Sequence, residues 1–195
     1  MTAPAAALLP YLRALLEENQ RINLTAIRDL EAAQVLHIDD SLAVGDLDLP
    51  PPTSCLDIGT GNGFPGIALK ILWPQAHVVL LDRTLKKLRA IERVMNHAGI
   101  EGVDTIHADA SQLPRLFPEL RRTFNLITAR AVAAPEKLAP LALPLLTRGG
   151  HLVLWLDERT APTERLEGLQ LIQVHEYQLR TPAERRRRLG VYTTP

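Results

Sequence analysis

Apolar positions change their period along this chain. From Tyr11, Leu12, Leu15 and Leu16, followed by Ile22, recur at helical spacing. The stretch NLTAIRDLEAA breaks that helix, and Asp29 can cap a second one carried by Val35, Ile38 and Leu42. GDLDLPPPTS ends the helical pattern, because three consecutive prolines mark a linker or tight loop. Short, continuously apolar runs follow. SCLDIG, HVVLLD (His77 to Asp82), VDTIHAD, FNLITAR (Phe124 to Arg130) and HLVLWL read as five strands. Between them Pro65 to Leu72, Leu85 to Ala98 (stopped by Gly99) and Glu136 to Leu146 (running to Gly149-Gly150 despite Pro140 and Pro144) read as helices. Leu169 to Leu179 and Leu189 to Thr193 predict two final strands around a polar turn, an antiparallel pair at the sheet edge. Continuous apolar strands alternating with helices imply a parallel sheet covered on both faces. The expected organisation is a helical N-terminal cap over 1–45 and a main α/β domain over 46–195, together one compact unit.

Composition narrows the class. The chain has 195 residues, 46% of them hydrophobic, enough for one domain with a real core. Its 22 basic and 22 acidic side chains cancel, so net charge does not announce a nucleic-acid binder, although charge placement can still make one. The single cysteine, Cys55, excludes an internal disulfide framework and a cysteine-rich metal site, fits a reducing compartment, and is expected in the core of the first strand. The first residues lack a basic leader pattern and read as a helix lead-in. No apolar stretch approaches the ~18 residues of a membrane span, so a cytoplasmic protein is expected.

The densest signal is DIGTGNGFPG, Asp57 to Gly66, set between the first strand and the first helix of the main domain. Ligands of open α/β sheets bind at such turns, where glycine lets the backbone approach them. Two ligand classes compete. Gly61, Gly63 and Gly66 satisfy the dinucleotide fingerprint G-x-G-x-x-G. Gly59, Gly61 and Gly63, with Asp57 in front, satisfy the acid-x-G-x-G-x-G of S-adenosylmethionine methyltransferases. The acid separates them: a carboxylate repels a pyrophosphate at a helix N-terminus but suits a sulfonium and an ammonium. Asp57 also has a structural reading, ordering the loop through backbone N–H groups. Asp82, ending the second strand, is placed to bond ribose hydroxyls of either ligand, or to cap the next helix.

These segments resemble the bacterial RsmG (GidB) family, which methylates guanine N7 in small-subunit (16S) ribosomal RNA. NLTAIRD resembles its NLT signature, HIDDSLAV its H-x-x-D-S helix, DIGTGNGFPGIALK its Phe-Pro-Gly-ended loop, LLDRTLKKLRAI its second-strand segment, and ITARAVA the segment after the fourth strand. The resemblance implies an α/β, class I S-adenosylmethionine-dependent methyltransferase fold: a Rossmann-like seven-stranded sheet, last strand antiparallel, with a short helical N-terminal cap. It carries cofactor contacts onto Gly59, Phe64, Ala110, Ser111 and Arg130, with Asp82 starting the ribose-binding segment. Arg130 and Asp57 are positioning candidates, and no residue is assigned as general acid or base. Three departures stand out. The extra helix expected before the NLT segment is largely missing, Thr128-Ala129 rather than a serine precedes Arg130, and ERRRRLGVYTTP replaces an arginine-containing final strand with a more basic turn.

The implied reaction is methyl transfer to guanine N7. N7 bears a lone pair and no proton, so His37, His107 and His151 need not act as bases, and His37 is expected to bond Asp40 or the loop. No feature suggests a metal. Lys86, Lys87, Arg121, Arg122, Arg185 and Arg186 are the candidate RNA contacts, the last two within a run that otherwise reads as a solvated turn. The expected partner is small-subunit rRNA or its ribonucleoprotein precursor, bound by a monomer that does not engage membranes. Two alternatives stay open: a non-catalytic S-adenosylmethionine- or RNA-binding module of the same fold, and an NAD(P)-dependent oxidoreductase using the same loop.

Overall fold

The computed structural model describes residues 2–156, 161–180 and 185–194. Where the apolar runs are continuous, five parallel strands form: β1 (Ser54–Ile58), β2 (His77–Asp82), β3 (Val103–His107), β4 (Phe124–Arg130) and β5 (Leu146–Leu156). Three more follow, β6 (Arg165–Leu166), β7 (Leu169–Leu179) and β8 (Arg185–Thr193). The sheet order is β3-β2-β1-β4-β5-β8-β7-β6. β8 is inserted between β5 and β7, antiparallel to both. The last strand is therefore antiparallel, as expected. The sheet has eight strands rather than seven, the addition being the two-residue β6, folded onto the start of β7 through Gly168, whose φ of 67° lies in the left-handed region that glycine tolerates.

The helical elements are α1 (Ala3–Glu18), α2 (Leu30–Ala33), a π-helical turn (Gln34–Asp39), α3 (Asp40–Leu42), a 3-10 turn (Ala43–Asp46), α4 (Gly66–Leu72), α5 (Leu85–Ala98), α6 (Leu113–Leu116) and α7 (Pro135–Ala142), with shorter 3-10 turns at Ala110–Gln112 and Pro118–Leu120. Asp29 caps α2 as predicted, its Oδ1 accepting from the Ala32 N–H at 2.8 Å. Gly99 closes α5 in the left-handed conformation.

Three expectations are corrected. The first helix begins at Ala3, not near Tyr11, and runs through Pro10. Burial of Ala5 and Leu8 ahead of the proline offsets its missing N–H. The helix predicted over Glu136 to Leu146 ends at Ala142, and Leu146 already belongs to β5, since Pro144 has no N–H with which to continue a helix. Finally, the arginine run lies in β8, paired with β7, and not in a turn. Thr181 to Glu184, which the expected polar turn would include, lie outside the described residues.

Alternation along each strand divides the core between two faces. Cys55, Val78, Leu80, Leu126, Val153, Leu189 and Val191 face α1, α4, α5 and the Leu30–Asp46 helical segment. Leu56, Val79, Leu81, Ile127, Leu152, Leu154 and Tyr192 face α6 and α7. α1 is tied down at its C-terminal end and at its middle: Glu18 pairs with Arg93 of α5 at 2.5 Å, and the fully buried Tyr11 hydroxyl donates to the Asn62 carbonyl at 2.9 Å. Among the described residues no helix is long and apolar enough to cross a membrane.

The Tyr11 bond couples the N-terminal helix to the glycine loop. Tyr11→Phe leaves the Asn62 carbonyl buried without its donor and should cost about 1–2 kcal/mol, read as a lower urea midpoint with an unchanged denaturant slope.

Candidate active site at the carboxyl ends of the strands

β1 leads to β2 on one side of the sheet while β4 lies on the other, so a crevice opens between β1 and β4 at their carboxyl ends. Two adjoining cavities occupy it. One, about 530 Å³, is lined by residues of the glycine loop together with His37, Asp40, Asp82, Lys87, Arg130 and Trp155, among others. The other, about 370 Å³, lies over the ends of β1 to β4 and is lined by Gly59, Asp82, Thr84, Asp109, Ala110 and Val132, among others. Gly59, Asp82, Lys87 and Ala131 line both.

The loop's glycines serve distinct ends. Gly59, Gly61 and Gly63 all have positive φ. A Cβ on Gly63 would stand 2.0 Å from the Tyr11 hydroxyl, so this glycine makes room for α1. A Cβ on Gly61 would meet only the Gly59 carbonyl at 3.7 Å, so here the missing side chain leaves the cleft open. Gly66 has an ordinary φ, but a Cβ would run into Leu80 at 2.2 Å. Its N–H donates to Asp57 Oδ2 at 3.1 Å, while Thr128 donates to Asp57 Oδ1 at 2.8 Å.

Asp57 is thus fully buried beneath the loop and lines neither cavity. Its carboxylate occupies the N-terminus of α4, where a dinucleotide would need to set its pyrophosphate. Of the two acids beside the loop, it is Asp82 that lines the cleft. One of its oxygens accepts from the Gly61 N–H at 3.0 Å, the other from the Thr84 N–H at 2.8 Å. Thr84, not Asp82, occupies the cap position of α5.

Phe64 is 2% exposed, packed edge-on against Tyr11 and stacked on His37, and it is among the residues lining the larger cavity. Arg130 ends β4 and bonds three surrounding segments. Nη1 donates to the Leu36 carbonyl, to Asp40 Oδ2 at 2.9 Å and to Ser41 Oγ, and Nη2 donates to the Phe64 carbonyl at 3.2 Å. Ala110 lines the smaller cavity. Ser111 does not; its N–H and hydroxyl are both bound by Asp109, which caps that 3-10 turn.

Residues 5–187 match the family described as rRNA small subunit methyltransferase G. The chain belongs to this family. It is 42% identical over 143 residues to ribosomal RNA small subunit methyltransferase G of Desulfitobacterium hafniense, an alignment covering 73% of this chain and 59% of that protein. To the protein of the same name from Geobacillus thermodenitrificans it is 36% identical over 165 residues, covering 84% of this chain and 68% of that one. The chain spans about three-fifths of the length of most of the curated relatives it matches first. A putative methyltransferase from Bacillus halodurans superposes with a TM-score of 0.61 at 17% identity, covering 81% of this chain and 99% of that one. The fold is that of the class I methyltransferases.

Several residues proposed from the sequence have surroundings that the sequence alone did not give. His37 meets Thr25 Oγ1 at 3.0 Å and the loop residue Asn62 at 3.3 Å. Of its two expected partners, the loop is the one found. Burial and then the Arg130 charge lower its pKa to about 4, so the ring is neutral at pH 7. Of the proposed RNA contacts, Lys87 and Arg185 line the larger cavity, and Lys86 is exposed on α5. Arg186 sits at the neighbouring β8 position, on the opposite face of the sheet from Arg185. Arg121 and Arg122 precede β4, at the amino ends of the strands, so the sheet separates them from the cleft; Arg121 donates to the Pro114 carbonyl. Sequence reasoning missed Asp40, Trp155, Tyr177 and Ala131. Asp40 stood inside the quoted HIDDSLAV segment and Ala131 inside ITARAVA, while Trp155 and Tyr177 carry no motif.

Burial raises the Asp57 pKa from 3.8 to about 6, against the opposing pull of its hydrogen bonds to Thr128 and Gly66. A raised carboxyl contributes stability below its unfolded pKa and loses it as pH climbs through the folded value. His37, lowered, does the reverse between about 4 and its ordinary 6.5, so the two slopes largely cancel in the native protein. Asp57→Asn removes one of them. Its stability relative to the native protein should rise by about 2–3 kcal/mol from pH 4 to 7, measured by urea denaturation across that range.

Proposed function

We propose that this chain transfers a methyl group from S-adenosylmethionine to N7 of a guanine in small-subunit ribosomal RNA. The observation that carries the reading is the family match over 5–187 combined with a glycine loop whose helix-start N–H is committed to Asp57. That commitment fits a ligand without a pyrophosphate and disfavours the dinucleotide alternative. Nothing in the cleft favours a non-catalytic module.

The residues present fit such a cofactor. The absent Cβ of Gly61 keeps the floor of the cleft clear, and the two cavities meet at Gly59 and Asp82, where a nucleoside could continue into an amino-acid tail. Asp82, fixed by the Gly61 and Thr84 N–H groups, retains lone pairs for ribose hydroxyls. Ala110 and Asp109 border the adenine side. Gly59, Gly61 and Phe64 border the methionine side, with Gly63 and the buried Asp57 shaping the loop behind them. Ser111 acts through its bonds to Asp109. When bound, the cofactor supplies a methyl group activated by a sulfonium.

The chain's own residues then have an orienting task. Guanine N7 attacks through a lone pair and releases no proton, so the neutral His37 is not required as a base. Holding acceptor and donor in line can contribute roughly 7–11 kcal/mol toward the barrier. Arg130 is tethered by four hydrogen bonds and serves as a positioning group. Its charge is balanced by Asp40, which limits its repulsion of the cationic ring that forms.

Incubating the protein with radiolabelled S-adenosylmethionine and small subunits from cells lacking the modification should place label in 7-methylguanosine at one site. Label absent despite cofactor binding would overturn the reading. Asp82→Ala should weaken S-adenosylmethionine binding by about 10- to 100-fold in calorimetry, the loss expected for hydrogen bonds to a charged group.

A further inference from the structure

The antiparallel extension brings cations to the cleft that the parallel strands do not supply. Because β8 runs against β5, its first residues lie beside the carboxyl end of β5, with Arg188 opposite Leu156. Strand alternation then sorts the arginine run. Arg185 and Arg187 line the larger cavity, while Arg188 pairs with Glu176 at 2.7 Å. Lys87 reaches the same cavity from α5.

Among the described residues these three cavity-lining cations are short of anions, the nearest ion pair being Arg187 with Asp40 at 3.9 Å. Among the described residues, neither Lys87 nor Arg185 has a carboxylate partner. Arg187 Nε is buried without a hydrogen-bond partner, 3.9 Å from Asp40 Oδ1. Asp40 stands beyond hydrogen-bond distance of it and is turned to other donors, its two oxygens accepting from Arg130 at 2.9 Å and from the Tyr177 hydroxyl at 2.7 Å. Among the described residues the other carboxylate on the cavity wall is Asp82, which accepts from two backbone N–H groups. Lys87, Arg130, Arg185 and Arg187 therefore face Asp40 and Asp82, four cations against two carboxylates. Such a wall is completed by an anion.

We propose that Arg187, with Arg185 and Lys87, forms a phosphate subsite that grips the RNA backbone beside the target nucleotide. This rests on the acceptor being RNA, as proposed above. The cofactor's own carboxylate is the rival anion. Phosphate is favoured because β8 stands two strands beyond β4 in the sheet, away from the glycine loop on β1, and because the Arg187 side chain is 30% exposed at the cleft rim. A guanidinium there can also bind a phosphate in bidentate fashion.

The test measures the affinity of unmodified small-subunit rRNA across a salt series, and in parallel the affinity for S-adenosylmethionine, for the native protein, Arg187→Ala, Arg187→Lys and Arg185→Ala. Arg187→Ala should weaken RNA binding on the order of tenfold and make the salt dependence shallower by about one unit of slope. Arg187→Lys should keep the slope, and cofactor affinity should stay unchanged throughout. Arg185, exposed on β8 and without an ion-pair partner among the described residues, carries the same test should Arg187→Ala lower the melting temperature. Unaltered slopes in a native protein that binds and methylates RNA would overturn the subsite alone. Equal loss of cofactor affinity would assign the anion to the cofactor instead. A native protein that binds no RNA would overturn the acceptor reading, and the subsite with it.

Discussion

Arg130 and Asp40 form an ion pair almost sealed from water, their side chains 14% and 3% exposed. One partner ends the fourth strand, the other begins α3 in the N-terminal helical segment. Neither charge is tolerable there alone, since removing one member of a buried pair commonly costs about 3–5 kcal/mol. The pair is therefore built into a wider set of bonds. Asp40 also receives the Tyr177 hydroxyl on its carboxylate and the Trp155 indole N–H on its carbonyl, from β7 and β5. Arg130 reaches the Leu36 and Phe64 carbonyls. Five segments distant in sequence are thereby held at one point, and that point is the wall of the cleft.

The N-terminal helices thus serve as part of the site and not as a lid over a finished one. Tyr11 fills the space that Gly63 leaves and bonds the Asn62 carbonyl. His37, kept neutral by burial, stacks on Phe64 and meets Asn62. The π-helical turn that carries His37 also presents the Leu36 carbonyl to Arg130, an irregularity of the kind found where helices meet functional groups. The glycine loop is accordingly held from below by Asp57, from one side by Asp82, and from above by α1 and the π turn.

Charge is distributed with the same economy. A chain of zero net charge concentrates cations along one cleft, because an antiparallel strand delivers every second residue of an arginine run to the same face. Composition averages this away, and the cation surplus exists only once β8 lies beside β5.

The sequence by itself determined the strands β2 and β4, the helix α5 with its glycine stop, the cap at Asp29, and the family, because each depends on local signals: continuous apolar runs, a residue able to adopt positive φ, a side chain within reach of nearby N–H groups. It also located Asp82 and the glycine loop. It did not reveal that α1 continues through Pro10, since a proline's cost is local while the burial that offsets it is tertiary. Nor did it separate the roles of the two acids. Asp57 and Asp82 each end an apolar run beside the same loop, yet one is sealed under it and the other faces the cleft. Only the tertiary structure decided that, because β4 supplies Thr128 beside Asp57 while the Gly61 N–H meets Asp82. The partners of Arg130 and the sorting of Arg185 from Arg186 were decided there too, for they depend on contacts between separate segments, Arg130 reaching Phe64 and Leu36 at 66 and 94 residues' remove, and on which way a strand runs.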